Sequence, residues 1–213
     1  MARKSKAAKA AASKAGAAGV PWALSPHLYL NPLGNYPNFT FGVLRREFRG
    51  RQNSVLEFAH LKLHPINLPA PGAPFSPTAA RWEVLLPPKA GDEYRDPEFL
   101  FSSFDKHPLE TRNGILSYIT FRFPDVDRLH VAFEKVRAFA RAKFVLERQL
   151  PLLAVQHAPH LMGSPNPHHV HVLLLPRVLS GLGWGMPNDL LTSDQGQQAV
   201  YDEFRASEWD TAG

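Results

Sequence analysis

The sequence predicts an α+β fold, on three observations. "GILSYITFRFP" alternates Ile115, Ser117, Ile119 and Phe121 against Leu116, Tyr118, Thr120 and Arg122, the period of a strand. From Asp125 the period changes: Val126, Leu129, Phe133, Val136 and Ala140 recur at three and four, a helix of about twenty residues behind an Asp cap. Beyond it, Leu153, Val155 and His157 share one parity, and after a loop with Pro and Gly so do His169, His171 and Leu173. Same-parity side chains of a strand share a face, so His169 and His171 stand side by side, and His157 faces them where the two strands pair.

Composition sets the bounds. A chain of 213 residues, 44% hydrophobic, suits one globular domain, residues 20–213, behind an arm of residues 1–19. The 20 Pro and 14 Gly make it loop-rich, and 14 Phe with 4 Trp supply a core. The absence of Cys excludes disulfides and thiolate metal sites, which leaves His, Asp and Glu as ligands. The net charge of +5 resides in the arm, where Arg3, Lys4, Lys6, Lys9 and Lys14 meet no acid; the rest of the chain is formally neutral. This Ala/Lys-rich arm has no apolar stripe and reads as disordered. Lys4, Lys6 and Lys9 suit non-specific contacts to nucleic-acid phosphates, or equally a solubilising tail. No run of roughly eighteen apolar residues exists, so membrane insertion is not expected, and the arm lacks the bulky apolar centre of a secretory signal.

Taken in order, residues 20–40 combine Pro21, Pro26, Pro32 and Pro37 with Trp22, Tyr29, Tyr36 and Phe39, an irregular segment packed on a surface. Arg45, Arg46, Arg49 and Arg51 form a cluster that fits DNA phosphates, or a solvated turn with local ion pairs. "VLEFAHLKLH" alternates imperfectly and reads as a strand. "LPAPGAPFSP" is a loop, and "RWEVLLPP" a short strand. Residues 87–113 are polar and interrupted by proline, with "AGDEYRDPEF" the most loop-like part. After the second histidine strand, "PRVLSGLGWGMPNDLLT" reads as glycine-rich and flexible. "DQGQQAVYDEFRASEWD" has helical spacing, a terminal helix docking on the sheet.

Five of the ten histidines fall within residues 157–171. Single histidines are commonly satisfied by ordinary hydrogen bonds; His130, outside the apolar register of its helix, reads as a surface residue, and His160 and His168 fit that account. A His-x-His pair on an apolar strand is different, because two polar rings on a covered face need partners. His169 and His171 are therefore the candidate metal ligands, with His157 as the third and His160 as its competitor. Three imidazoles without a nearby carboxylate or thiolate leave coordination positions open and preserve the charge of a divalent ion. That suits polarising a phosphate oxygen or activating water. A histidine-triad nucleotide hydrolase fits poorly, since Pro167 and Leu173 break the alternation it needs, and a purely structural histidine cluster is the remaining alternative.

The stretch "ILSYITFRFPDVDRLHVAFEKVRAFARAKFVLERQLPLLAVQHAPHLMGSPNPHHVHVLLLPR" resembles the central block of MobA/MobL-type mobilisation relaxases, of the HUH endonuclease superfamily. The likeness spans about residues 115–177: a strand ending in proline, a long amphipathic helix, a strand ending in His, then Asn-Pro-His and a His-hydrophobic-His strand closing on an Arg. The resemblance implies a ferredoxin-like or palm-like antiparallel sheet with helices on one side. It implies that His157, His169 and His171 hold a divalent metal, Mn²⁺ or Mg²⁺ with Zn²⁺ as an alternative, that polarises the scissile phosphate of single-stranded DNA. A tyrosine hydroxyl would then attack, leaving a 5′-phosphotyrosine link that later religates. The family places that tyrosine in an Ala-rich N-terminal helix, whereas residues 1–19 here contain none. Tyr29 and Tyr36 are the N-terminal candidates, and Tyr201 the C-terminal one, as in replication-initiator relatives. The implied role is nicking and strand transfer in plasmid mobilisation or replication, in a bacterial cytoplasm, with mobilisation or conjugation accessory proteins as partners. A catalytically inactive DNA- or metal-binding module of the same fold is the alternative.

Overall fold

A computed structural model describes residues 36–66, 76–109, 111–124 and 128–207 in full and the backbone of residues 28–30. Lys4, Lys6, Lys9, the side chain of Tyr29 and the expected cap at Asp125 lie outside the described residues.

In chain order the elements are β1 (Leu28–Leu30), β2 (Phe39–Arg45), a hairpin of β3 (Glu47–Phe48) and β4 (Arg51–Gln52), α1 (Val55–Leu63), β5 (Arg81–Leu85) and α2 (Pro97–Lys106). Then follow β6 (Gly114–Arg122), α3 (Leu129–Ala140), β7 (Leu152–His157), β8 (His169–Leu174), β9 (Arg177–Ser180), β10 (Gly183–Pro187) and α4 (Gly196–Arg205). One six-stranded sheet, ordered β1-β2-β6-β8-β7-β5, is antiparallel at each pairing. Strands β6 and β7 are thus parallel to each other; α3 crosses between them, and β8 fills the slot left open, a split βαβ unit. The α+β class and the antiparallel sheet are as the sequence predicts.

The helices cover both faces of the sheet, where one was expected. On one face Phe41, Ile119, Phe121, Val170 and Val172 pack against Phe133, Val136 and Phe139 of α3 and Val200 of α4. On the other, Leu116, Leu153, Val155 and Leu173 pack against Val55, Phe58 and Leu63 of α1 and Leu100, Phe101 and Phe104 of α2. The physical reason is visible in β6: both of its parities are apolar enough to be buried, from Ile115 to Phe121, so each face needs a cover.

Three expectations are corrected at the level of elements. "VLEFAHLKLH" is the helix α1, not a strand: Val55, Phe58, Ala59 and Leu63 form its buried stripe, and Ser54 caps it by accepting the Glu57 N–H at 3.1 Å. Part of the loop-like 87–113 is α2, where the Asp96 carboxylate accepts the Phe99 N–H at 2.8 Å and Pro97 occupies the first turn, its missing N–H costing nothing there. The glycine-rich segment after β8 is an ordered hairpin, β9 with β10, in which Trp184 opposes Leu179. The long helix starts at Leu129 behind Arg128, whose side chain makes no capping bond, and continues beyond α3 as a π-helical stretch to Glu147. The terminal helix α4 docks on the sheet as expected, through Val200, Tyr201 and Phe204. Among the described residues no helix is long and apolar enough to cross a membrane.

Candidate metal centre

Adjacent central strands place the histidines. The antiparallel register sets His157 opposite His169, and His171 between Thr120 of β6 and Val155 of β7. His169, His171 and His157 therefore project from one face, next to the end of α1, and one ring nitrogen of each lies within 4.8 Å of the others. Ring centroids are 4.6 Å apart for His157 and His171, 4.6 Å for His169 and His171, and 5.3 Å for His157 and His169.

The second nitrogen of each ring decides which atom is left to bind. His157 Nε2 donates to the Lys62 carbonyl at 2.6 Å, and His169 Nδ1 donates to the Pro167 carbonyl at 2.9 Å. A carbonyl only accepts, so these contacts fix both tautomers and leave lone pairs on His157 Nδ1 and His169 Nε2. His171 Nδ1 sits 2.8 Å from the Tyr118 hydroxyl and 2.9 Å from Thr120 Oγ1. With its proton donated there, His171 Nε2 is bare and lies 3.2 Å from His157 Nδ1. Metal–imidazole bonds of about 2.0–2.2 Å at octahedral to tetrahedral angles put neighbouring nitrogens about 2.8–3.6 Å apart, and the 3.2 Å between His171 Nε2 and His157 Nδ1 falls in that range. Oxygen partners behind all three rings are what a metal site uses to orient its ligands. The donor set thus fits a divalent ion.

Electrostatics keep these rings neutral, the form that binds metal. Burial pushes His157 down to about 4, opposed by its hydrogen bond to the Lys62 carbonyl and helped by His169 and the Lys62 ammonium. His169 is lowered chiefly by burial, against the Pro167 carbonyl, with Arg122 and Lys62 contributing. His171 lies well below the usual value through burial, then Lys62, its two neighbouring imidazoles and Arg122. Two cations border the site. Lys62 Nζ lies 4.7 Å from the centre of the Tyr118 ring, and Arg122, opposite His169 in the sheet, donates to Thr40 Oγ1 at 2.7 Å.

The structure brings His157, His169 and His171 together and leaves His160 apart, exposed on the turn Pro159–Met162 with its ring 6.0 Å from that of His168. The arginine cluster stands elsewhere. Arg45 is opposite Gly114, six residues along β6 from the position of His171, roughly 20 Å at the strand rise. There Arg46 donates to the Leu109 carbonyl and Arg51 pairs with Glu57 at 2.6 Å, while Arg49 sits over the Phe48 ring in the turn between β3 and β4. Of the three candidate tyrosines, Tyr36 and Tyr201 pack edge to face at 4.8 Å within the core under α3 and α4, the face away from the histidines, and the Tyr36 hydroxyl donates to Gln198 at 2.6 Å. Tyr29 pairs with Val43 at the sheet edge.

Sequence reasoning missed Lys62, Tyr118, Thr120 and Arg122 as parts of this site. The signal for three of them was present in β6: Tyr118, Thr120 and Arg122 share a parity, and two of them interrupt an otherwise apolar strand. Lys62 was hidden by the misreading of α1.

No protein-family model matches the chain, and no curated protein does. A solved chain from work on the molecular basis of vancomycin resistance transfer in Staphylococcus aureus is similar to it at 21% identity and a TM-score of 0.47, over 63% of this chain and 68% of that one.

Proposed function

We propose that the protein is a relaxase-like, metal-dependent enzyme that nicks single-stranded DNA and transfers the strand, in plasmid mobilisation or replication. The observation that carries the reading is the triad of His157, His169 and His171, each with one nitrogen near an oxygen partner and one ring nitrogen of each within 4.8 Å of the others. A divalent ion held by three neutral imidazoles would keep its charge and supply Lewis-acid polarisation of a phosphate oxygen. Lys62 and Arg122 add positive charge beside it, which favours a bound phosphate and the negative charge that grows on it during displacement. The order of motifs that resembles mobilisation relaxases makes the phosphate that of DNA, and the nucleophile a tyrosine. Its oxygen attacks phosphorus, the bond to the 3′ oxygen breaks, and the departing 3′ end takes up a proton in exchange for the one the phenol gives up.

Tyr36 and Tyr201 are packed on the far face and Tyr29 stands opposite Val43, a residue of that same core, so the three tyrosines are tested together as nucleophiles. The test is a labelled single strand incubated with protein and Mn²⁺ and run on a denaturing gel. A covalent adduct is expected, absent in His169→Ala and lost in one of Tyr29→Phe, Tyr36→Phe and Tyr201→Phe. An adduct that survives every Tyr→Phe substitution removes the tyrosine mechanism. The packing of Tyr36 and Tyr201 also favours a second reading, a metal- and DNA-binding module without nicking; that reading predicts metal-dependent strand binding and no adduct.

A further inference from the structure

The elements that build the metal centre bring cations to it and no acid. Residues 58–80, 114–124 and 149–188, which include the last turn of α1 and all of β6, β7 and β8, contain no Asp or Glu. His157 and His169 are half-buried, so the triad opens to solvent on their side. Lys62, half-buried in the last turn of α1, reaches the same place. Its Nζ lies 4.7 Å from the centre of the Tyr118 ring and 5.3 Å from that of Phe58, and the Tyr118 hydroxyl is 3.3 Å from His171 Nε2. Among the described residues no carboxylate pairs with this ammonium, whereas Arg81, Arg137 and Lys143 each have one. Burial is the main cause that lowers the three imidazoles, and the Lys62 ammonium lowers each of them further, so its charge is within electrostatic reach of all three. A divalent ion on the triad would face this second cation, and like charges at that range repel. A tetrahedral oxyanion resolves the conflict, with one oxygen on the ion and another on the ammonium.

We propose that Lys62 positions the phosphate at the metal centre by holding an oxygen that the ion does not, and that its charge weakens ion binding while the phosphate is absent. The inference rests on the reading of the triad as a metal site for a phosphate diester. Neutralising Lys62 therefore moves two affinities in opposite directions: the ion binds more tightly and the phosphate less. A lysine that only covers Phe58 and Tyr118, or only balances the helix dipole, produces no such opposition. The Lys62 carbonyl that orients His157 is main chain and is present in every variant.

The experiment uses the full chain and two measurements, Mn²⁺ affinity by chelator competition and binding of an abasic deoxyribose-phosphate strand by fluorescence anisotropy, with and without Mn²⁺. Lys62→Met keeps the apolar stem over the two rings and removes the charge. It is expected to bind Mn²⁺ about three- to tenfold more tightly than wild type, an effect that shrinks as salt is raised. The Mn²⁺-dependent part of its strand affinity is expected to fall about tenfold, the scale of one hydrogen bond to a charged group. Lys62→Arg, which keeps the charge, is expected to behave as wild type in both measurements, and Lys62→Gln takes the place of Lys62→Met if that variant unfolds. Mn²⁺ affinity that is unchanged or lower in the neutral variant, or Mn²⁺-dependent strand affinity that it retains, overturns the proposal and leaves the metal-dependent reading standing. Wild type that binds no Mn²⁺, or binds Mn²⁺ without gaining strand affinity, defeats that underlying reading and the role of Lys62 with it.

Discussion

His171 is the residue on which the site's two protonation arrangements turn. With a proton on Nε2 it donates to His157 Nδ1, and a hydroxyl of Tyr118 or Thr120 donates to its Nδ1; with the proton on Nδ1, the same hydroxyls accept and Nε2 is free for a metal. Hydroxyls serve both states, which a carbonyl or an ammonium would not. Tyr118→Phe and Thr120→Val should each weaken Mn²⁺ or Zn²⁺ affinity by about tenfold with the fold intact, and more when combined; unchanged affinity in the double variant, measured by chelator competition, would rule out this support. The depressed imidazoles also set a pH dependence for the metal-free protein. Between about 4, the value for His157, and the unfolded value near 6.5, the unfolded chain binds more protons than the folded one. Stability therefore falls as pH drops through that window and is indifferent to these groups above it. The His157 contribution is on the order of 3 kcal/mol. Urea midpoints at about pH 7 and about pH 4.5 check this, and His157→Asn should flatten the difference.

At the scale of elements, α1 matters because its last turn supplies the carbonyl that orients His157, and its first turn is anchored by α2. The Asp105 carboxylate accepts the Ser54 hydroxyl at 2.6 Å and the N–H groups of Val55 and Leu56 at 3.1 and 3.2 Å. Asp105→Ala leaves those donors without their acceptor and should cost about 2 kcal/mol. Through the position of Lys62 it should also weaken metal binding several-fold, whereas Asp105→Asn, which still accepts, should lose less. Thermal unfolding with and without metal separates the two effects. This helix is also where sequence reading failed most plainly. Leu56, Phe58, Leu61 and Leu63 mimic alternation, and the decisive clue was local chemistry, Ser54 followed three residues later by Glu57, the start signature of a helix. Pro97 concealed α2 in the same way, since it opens that helix and does not break it. By contrast β6, β7 and β8 were legible because apolar alternation survives without knowledge of neighbours. The histidines were legible for the same reason, being close in sequence. Their supports were not, because Tyr118, Thr120 and Arg122 reach them only through the β6–β8 register, and Lys62 only through the docking of α1.

At the scale of the molecule, β8 is shared by two cores and by the site. Val170, Val172 and Leu174 face α3 and α4, while His169, His171 and Leu173 face the other way. One strand thus carries metal ligands on one face and core residues on the other, and no metal ligand belongs to the core under α3. Phe139→Ala cuts a cavity there, beside Phe121, Phe144 and Phe204, and should cost about 3–5 kcal/mol. An ion that binds only the folded triad opposes that loss: at about a hundredfold excess over its Kd it contributes about 2.7 kcal/mol. Mn²⁺ should therefore raise the Tm of wild type and of Phe139→Ala by similar free energies, and that of His171→Ala hardly at all. If the ion stabilised His171→Ala as much as wild type, its site would lie elsewhere. If it failed to stabilise Phe139→Ala, the two faces of the sheet would not be independent, and the triad would depend on the packing behind it as well as on Lys62, Pro167, Tyr118 and Thr120.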